Sequence, residues 1–302
     1  MVANVIPLPV HNPQKRISVI MVTYHTGGPL KEAILAVLAD PDIMELILVD
    51  NGNTALARRG LAELAQNDRR LKLVQGQGNI GFAKGCNYGA RLAKGDYLLF
   101  LNPDAVIEKG AAMQLAESGS RLEQPWITGG LLQTQDGAEQ RGARRDELTP
   151  MSAVISFTPL HKLPGFKSMH LEKQPCPEKP TLLPIVSGAC LMTDRESFER
   201  LGGFDEDYFL HVEDIDICRR ARLEGGNVCF VPDAKVMHYG STSRVRLQKV
   251  EHEKLKGFIR YFRRYSKKPW ARVLLVLAIP FMFLAIMGRA WLLAFKSLFT
   301  EM

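Results

Sequence analysis

Three acidic stretches could do chemistry: "VDNGN" (49–53), "FLNPDA" (100–105) and "HVEDIDICRR" (211–220). Asp50 closes an apolar run, where a carboxylate can accept from a nucleobase N–H or a ribose hydroxyl. Asp-Asn-Gly is equally good turn sequence. Asp104 offers a hard oxygen to Mg2+ or Mn2+, ions that keep substrate phosphates in their shell. Pro103 stops strand pairing there, and Asn-Pro-Asp also reads as a plain turn. Glu213, Asp214 and Asp216 open a helix, where acids favour the dipole and where one of them can act as a general base. Arg219 or Arg220 can orient these acids, and Asp216–Arg220 has i,i+4 spacing. His238, in "VMHYGSTS", becomes a metal or diphosphate contact only if it folds back towards Asp104.

A fourth stretch, "GQGNIGFAKGCNYG" (76–89), is rich in glycine. It is not a P-loop, because G-x-x-x-x-G-K-[ST] is absent. Its G-x-G-x-x-G spacing does not follow the first strand, so it is not a dinucleotide fingerprint either. Glycines here allow a ligand close to the backbone, with Asn79 and Asn87 reading sugar or base, or they allow close helix–sheet packing.

The elements that must position these residues alternate. Apolar runs at 17–24, 44–51, 71–75 and 96–102 predict buried parallel strands. Helices are predicted over 29–40, 54–67, 81–95 and 108–122, with Pro29 at a helix start and Thr54 as N-cap. A short strand follows at 126–132. Residues 133–183 read as loop and short helix over the sheet. Then come a strand at 185–194, a helix at 213–226, a last strand at 227–232 and a linker carrying His238. This βαβα order implies an α/β fold with a mostly parallel, doubly wound sheet. Ligands bind beyond the carboxyl ends of such strands, and the polar stretches fall at those ends.

The 302 residues are 46% hydrophobic and 24% charged, an ordinary globular balance. Five scattered cysteines without a C-x-x-C pair argue against a disulfide framework or a zinc site and fit a reducing cytosol. The N-terminus makes a poor signal peptide. The net charge of +7 is concentrated: Lys254 to Lys296 holds ten Lys and Arg and no acid. That leaves the body nearly neutral and points to an anionic membrane surface rather than to nucleic acid. The apolar run Val273–Gly288 is slightly short for a spanning helix, and counting through Arg289 to Phe295 gives enough length; a buried amphipathic helix is the other reading. Arg289 can snorkel, and the basic flank places that side in the cytoplasm.

Together, "VTYHTGG", "VDNGN", "GNIGFAKGCNYG", "FLNPDA", "SGACLMTDR", "GGFDEDYFLHVEDIDICRR" and "HYGSTS" resemble a family 2 glycosyltransferase of the GT-A fold, most similar to bacterial rhamnosyltransferases. The resemblance covers roughly 17–243. It implies a nucleotide-binding half (17–132) and an acceptor-binding half (133–245), after an N-terminal extension (1–16) and before a membrane-associated tail (246–302). It also implies a dTDP- or UDP-sugar donor, a divalent metal (Mg2+ or Mn2+) and inverting transfer to a polyprenyl-diphosphate-linked acceptor at the cytoplasmic face of the bacterial inner membrane. By matching position, Thr23, Tyr24, Asp50 and Asn51 hold the nucleoside. Asn79, Gly81, Phe82, Lys84, Asn87 and Asn102 line the donor pocket. Asp104 and His238 serve the metal, and Asp214, beside Glu213, is the base. Ser187, Gly188, Asp205 and Arg220 lie on the acceptor side. Asn102 replaces the first acid of the wider D-x-D pattern.

Overall fold

A computed structural model describes residues 16–157, 163–240, 242, 245, 247–266 and four isolated positions, 279, 280, 283 and 288. The chain runs β1 (Ile17–Thr23), α1 (Pro29–Ala39), β2 (Ile43–Asp50), α2 (Ala55–Asn67), β3 (Leu71–Val74), α3 (Phe82–Leu92), β4 (Tyr97–Leu101), β5 (Ala105–Ile107), α4 (Ala111–Gly119) and β6 (Trp126–Gln133). It continues through β7 (Arg144–Arg145), α5 (Pro150–Phe157), β8 (Thr181–Leu182), β9 (Ile185–Val186), β10 (Cys190–Asp194), α6 (Arg195–Arg200), α7 (Glu213–Leu223), β11 (Asn227–His238) and α8 (Leu247–Tyr265).

One nine-stranded sheet organises the molecule, in the order β3-β2-β1-β4-β10-β6-β11-β5, with β8 on β11. The β3-β2-β1-β4 half is parallel, as the alternation predicts. The second half is mixed: β10 runs antiparallel to both neighbours, and β5 antiparallel to β11. An apolar run buried on both faces looks the same in either direction, so the sequence does not reveal this reversal. Every residue of β1 is buried. Ile20 and Val22 join one apolar layer and Val19 and Met21 the other, the two-residue period of a strand covered on both faces.

Three expectations change. The predicted strand 185–194 is two strands, because Ser187–Gly188 turns away to meet α7. The predicted strand 227–232 continues through an irregularity between Val231 and Lys235 to pair with β5. His238 therefore ends a strand, opposite Ala105, rather than sitting in a linker. The glycines of α3 serve packing as well as the loop: a Cβ at Gly89 would lie 2.5 Å from Ile20 Cγ2, and one at Gly85 would lie 2.9 Å from Val22 Cγ1. The predicted membrane segment, 273–295, lies almost wholly outside the described residues. Among the described residues no helix is long and apolar enough to cross a membrane.

At the opposite end of the sheet, Glu45 is buried in β2 and knits four segments. Its Oε1 accepts from Ser18 Oγ at 2.6 Å and from the Lys94 N–H at 2.5 Å, and its Oε2 meets the Lys72 ammonium. Burial opposes its charge, but Lys72, Ser18 and Lys94 outweigh that and hold its pKa below the ordinary value. A depressed folded-state pKa gives stability that is complete above the unfolded value and is lost as pH falls through the folded one. Glu45→Gln should therefore cost about 1–3 kcal/mol near neutral pH, with a smaller difference from wild type in acid, by urea unfolding across pH.

Candidate active site at the strand ends

The ends of β1 and β2 form a hydrogen-bonded corner. Asp50 Oδ1 accepts from the Gly52 N–H (2.9 Å), the Asn53 N–H (2.8 Å) and Asn53 Nδ2 (2.8 Å), while Oδ2 accepts from Gln75 Nε2 (2.9 Å). Asn53 Nδ2 also reaches Thr23 Oγ1, which meets Thr26 Oγ1. Tyr24 is half-buried, its ring edge against Gly52. Asn51 donates to Gly81 O and Gln77 donates to Asp50 O. The amide oxygens of Asn51 and Gln77 are buried without a partner among the described residues. Orphaned acceptors of this kind call for a donor, and a nucleobase N–H is one. Asn53, Gln75 and Gln77 are not among the residues expected from sequence. Asn53 and Gln77 stand in the quoted polar stretches, and Gln75 immediately precedes the second.

Gly81 begins α3 at φ +87. A Cβ there would sit 2.9 Å from Phe209 O, and the Phe82 N–H donates to that oxygen at 2.8 Å. The glycine loop thus abuts the segment that carries Glu213 and Asp214. Phe82 is half-buried, and Asn79 and Lys84 are exposed. Asn87 is buried, and its amide both donates to Phe204 O and accepts from the Phe204 N–H. It pins the Gly202–Gly203–Phe204 turn.

Asp104 and His238 do meet. Asp104 Oδ1 lies 3.1 Å from His238 Nε2, and Thr242 Oγ1 donates to Oδ2 at 2.9 Å. Burial raises the Asp104 pKa, but the His238 and Thr242 bonds reverse this and hold it low. Asn102 Nδ2 lies 3.2 Å from the same His238 nitrogen, and Gln140 Oε1 lies 2.6 Å from Nδ1. Gln140 Oε1 accepts from Nδ1–H, and Nε2 faces the Asp104 carboxylate: it either donates a proton to Oδ1, the bond that lowers the Asp104 pKa, or shares a divalent cation with it. A carboxylate oxygen with an imidazole nitrogen fits Mn2+ or a similar divalent ion. Among the described residues no three His, Cys, Asp or Glu side chains gather as a metal cluster, so the pair fits an ion whose remaining ligands are substrate oxygens and water.

The acid pair opens α7. Arg145 Nη2 contacts Asp214 Oδ2 at 2.5 Å, and the Gly188 N–H donates to the same oxygen at 3.0 Å. Burial opposes the Asp214 charge, yet Arg145 and Gly188 hold its pKa below the ordinary range. Glu213 goes the other way: burial, then the Asp214 charge beside it, pushes its pKa up. Neighbouring carboxyls whose environments drive them apart divide into a charged and a proton-bearing partner. Ser187 precedes Gly188, its N–H bonded to Ala143 O.

The turn into α7 is strained. His211 and Val212 both have positive φ, at 66 and 74, which costs on the order of 1–3 kcal/mol per residue. Helix α8 holds it there. Gly257 packs so close that a Cβ would lie 2.9 Å from Val212 Cγ2. Arg260 and Arg264 pair with Asp205, and Tyr265 donates to Asp216 at 2.8 Å. Arg220 forms the i,i+4 pair with Asp216 at 2.7 Å. Asp205 and Arg220 thus fasten the loop and helix that carry the acids. Arg145, Gln140 and Gly257 carry no sequence signal, since each acts through contacts distant in the chain.

Residues 18–202 match the family model described as "Glycosyl transferase family 2". The chain is 28% identical over 244 residues to the N-acetylglucosaminyl-diphospho-decaprenol L-rhamnosyltransferase of Mycobacterium tuberculosis, covering 76% of this chain and 77% of the relative. It is 24% identical over 254 residues to rhamnosyltransferase WbbL of Escherichia coli, covering 82% and 92%. Among solved structures, the mannosyltransferase PcManGT of Pyrobaculum calidifontis in complex with GDP-Man and Mn2+ superposes with a TM-score of 0.58 at 18% identity, over 97% of this chain and 78% of that one. A GalNAc-T7 structure with UDP, GalNAc and Mn2+ gives 0.58 at 18% identity, over 80% and 48%. These last two likenesses bear on the fold, the GT-A-like α/β architecture.

Removing the Arg145 charge should release Asp214. Arg145→Met is expected to raise the Asp214 pKa, followed by carboxyl 13C NMR titration, and to cost about 3–5 kcal/mol of stability because a buried charge loses its partner.

Proposed function

Because the chain belongs to glycosyl transferase family 2, we propose that it transfers L-rhamnose from dTDP-rhamnose to a polyprenyl-diphosphate-linked glycan, with inversion, in building a cell-surface polysaccharide. The observation that carries the reading is the Asp104–His238 contact at 3.1 Å, built at the ends of β4 and β11. The donor and acceptor follow the similarity to the two rhamnosyltransferases. A UDP-sugar is the alternative donor, since the acceptors around Asp50 suit the ring N–H of uracil as well as thymine.

Asp50, Asn51 and Gln77 take the base and ribose, with Thr23 and Tyr24 beside them. Asp104 and His238 would hold a divalent ion, with Asn102 and Gln140 fixing the imidazole. When bound, the ion supplies positive charge to the diphosphate leaving group. Asp214, ionised by Arg145 and Gly188, accepts the proton of the acceptor hydroxyl. That oxygen forms its bond to the anomeric carbon as the bond to the diphosphate breaks, and the nucleoside diphosphate leaves with the electron pair. Glu213 keeps its proton, so no second negative charge stands beside the base. The basic stretch from Lys254 to Lys296 supports attachment to the cytoplasmic face of the inner membrane.

Asp214→Asn should lower sugar transfer by about 10²- to 10⁴-fold and leave nucleotide binding near wild type. Asp104→Ala should weaken nucleotide binding in Mn2+ but not in chelator. Transfer that survives Asp214→Asn would remove Asp214 as the base. Nucleotide binding by the wild type without turnover of any sugar would indicate a non-catalytic binder.

A further inference from the structure

A cavity lies outside the strand-end site, in the lobe between β6 and β8. It has a volume near 550 Å3 and is lined by Arg141, Phe166, Lys167, His170, Glu172 and Lys173, among others. Three side chains carry permanent positive charge against one carboxylate. Arg141 spends part of its charge on Glu172, at 4.0 Å, and its Nη2 donates to Ser156 O. Lys167 and Lys173 are exposed, and no ion pair holds either among the described residues. A cavity with this surplus is suited to an anion with several oxygens.

The same lobe shows apolar side chains to solvent. Met151 is 66% exposed, Leu163 53%, Val154 46% and Phe166 43%. Scattered exposed apolar residues need no explanation, but a cluster marks a contact surface. Leu163 and Phe166 share one turn, the Phe166 N–H donating to Leu163 O, and Phe166 lines the cavity; α5, which carries Met151 and Val154, is tied to the cavity wall by Ser156, whose Oγ accepts from Ser168 Oγ and the Met169 N–H. The cavity is also tied to the acids. His170 bridges to Arg145 through the backbone, and Arg145 holds Asp214. Charge and apolar surface thus share one lobe, and Arg145 of that lobe reaches Asp214 on α7.

Resting on the acceptor class proposed above, we propose that this cavity binds the diphosphate of a prenyl-diphosphate-linked acceptor. Lys167, Lys173 and Arg141 contact the phosphate oxygens, and Phe166, Leu163, Val154 and Met151 meet the first prenyl units. The sugar beyond the diphosphate then reaches Asp214. A prenyl diphosphate unites the two chemistries that the lobe presents.

Farnesyl diphosphate serves as the probe, titrated by calorimetry into full-length protein with the donor site filled by dTDP and Mn2+. The expected result is saturable binding that weakens at least tenfold in Lys167→Glu/Lys173→Glu. Both lysines are exposed, so folding is unaffected, and dTDP binding should stay unchanged. Farnesol, which lacks the charge, should not compete. Binding unaltered in the variant would overturn the cavity assignment while leaving the acceptor class standing. No binding to the wild type would overturn it as well. Loss of binding to phosphatidylglycerol vesicles with farnesyl diphosphate binding intact would make the cavity a membrane headgroup site and refute the proposal. The transferase reading is judged apart from this, by donor turnover.

Discussion

A carboxylate removed from water must be given partners or it takes up a proton. The strand-end site is organised around that constraint. Asp50 is surrounded by amides from its own turn and from β3's exit. Asp104 is closed in by His238 and Thr242. Asp214 is held by Arg145 and Gly188. Each acid sits at the end of a strand or helix, and each draws at least one partner from another part of the chain: Gln75, His238 and Arg145 respectively. The sheet's order matters because it brings those partners together: β11 must pass β6 to return His238 to β5 and Asp104.

Glu213 shows the same constraint left unmet. It is buried beside an already charged neighbour, and its Oε2 has no partner among the described residues. Its pKa rises in consequence. The adjacent carboxyls therefore differ in charge because they differ in surroundings, not in chemistry. The strained His211–Val212 turn sets which carboxyl meets Arg145, and the ion pairs of α8 with Asp205 and Asp216 keep that turn in place. The helix that leads towards the basic tail is thereby part of the acid site.

Much of this organisation is legible in the amino-acid sequence. Asp50 and Asp104 stand out because a polar turn after an apolar run has a local signature, and Asp214 because acids gather at a helix start. The first four strands and their helices stand out for the same reason, through hydrophobic periodicity. What is not legible depends on distance along the chain. Arg145 lies 69 residues from Asp214, and Gln140 lies 98 from His238, and no spacing rule links such pairs. The extension of β11 is hidden by Pro232, a residue type that ends most strands but here sits at an irregularity. The Ser187–Gly188 break is hidden because it turns to satisfy Asp214, a tertiary demand. The direction of β10 is hidden because buried apolar runs carry no sense of direction.

If the Asp104–His238 pair holds a divalent ion, as proposed, that ion's remaining ligands come from a nucleoside diphosphate, and nucleotide binding must depend on the metal. Calorimetric titration of dTDP into the wild-type protein, with Mn2+ and then with the metal chelated, tests it most directly. Saturable one-to-one binding with Mn2+ and at least tenfold weaker binding without it is the expected result. Equal affinity in the two conditions, or no binding in either, would contradict it.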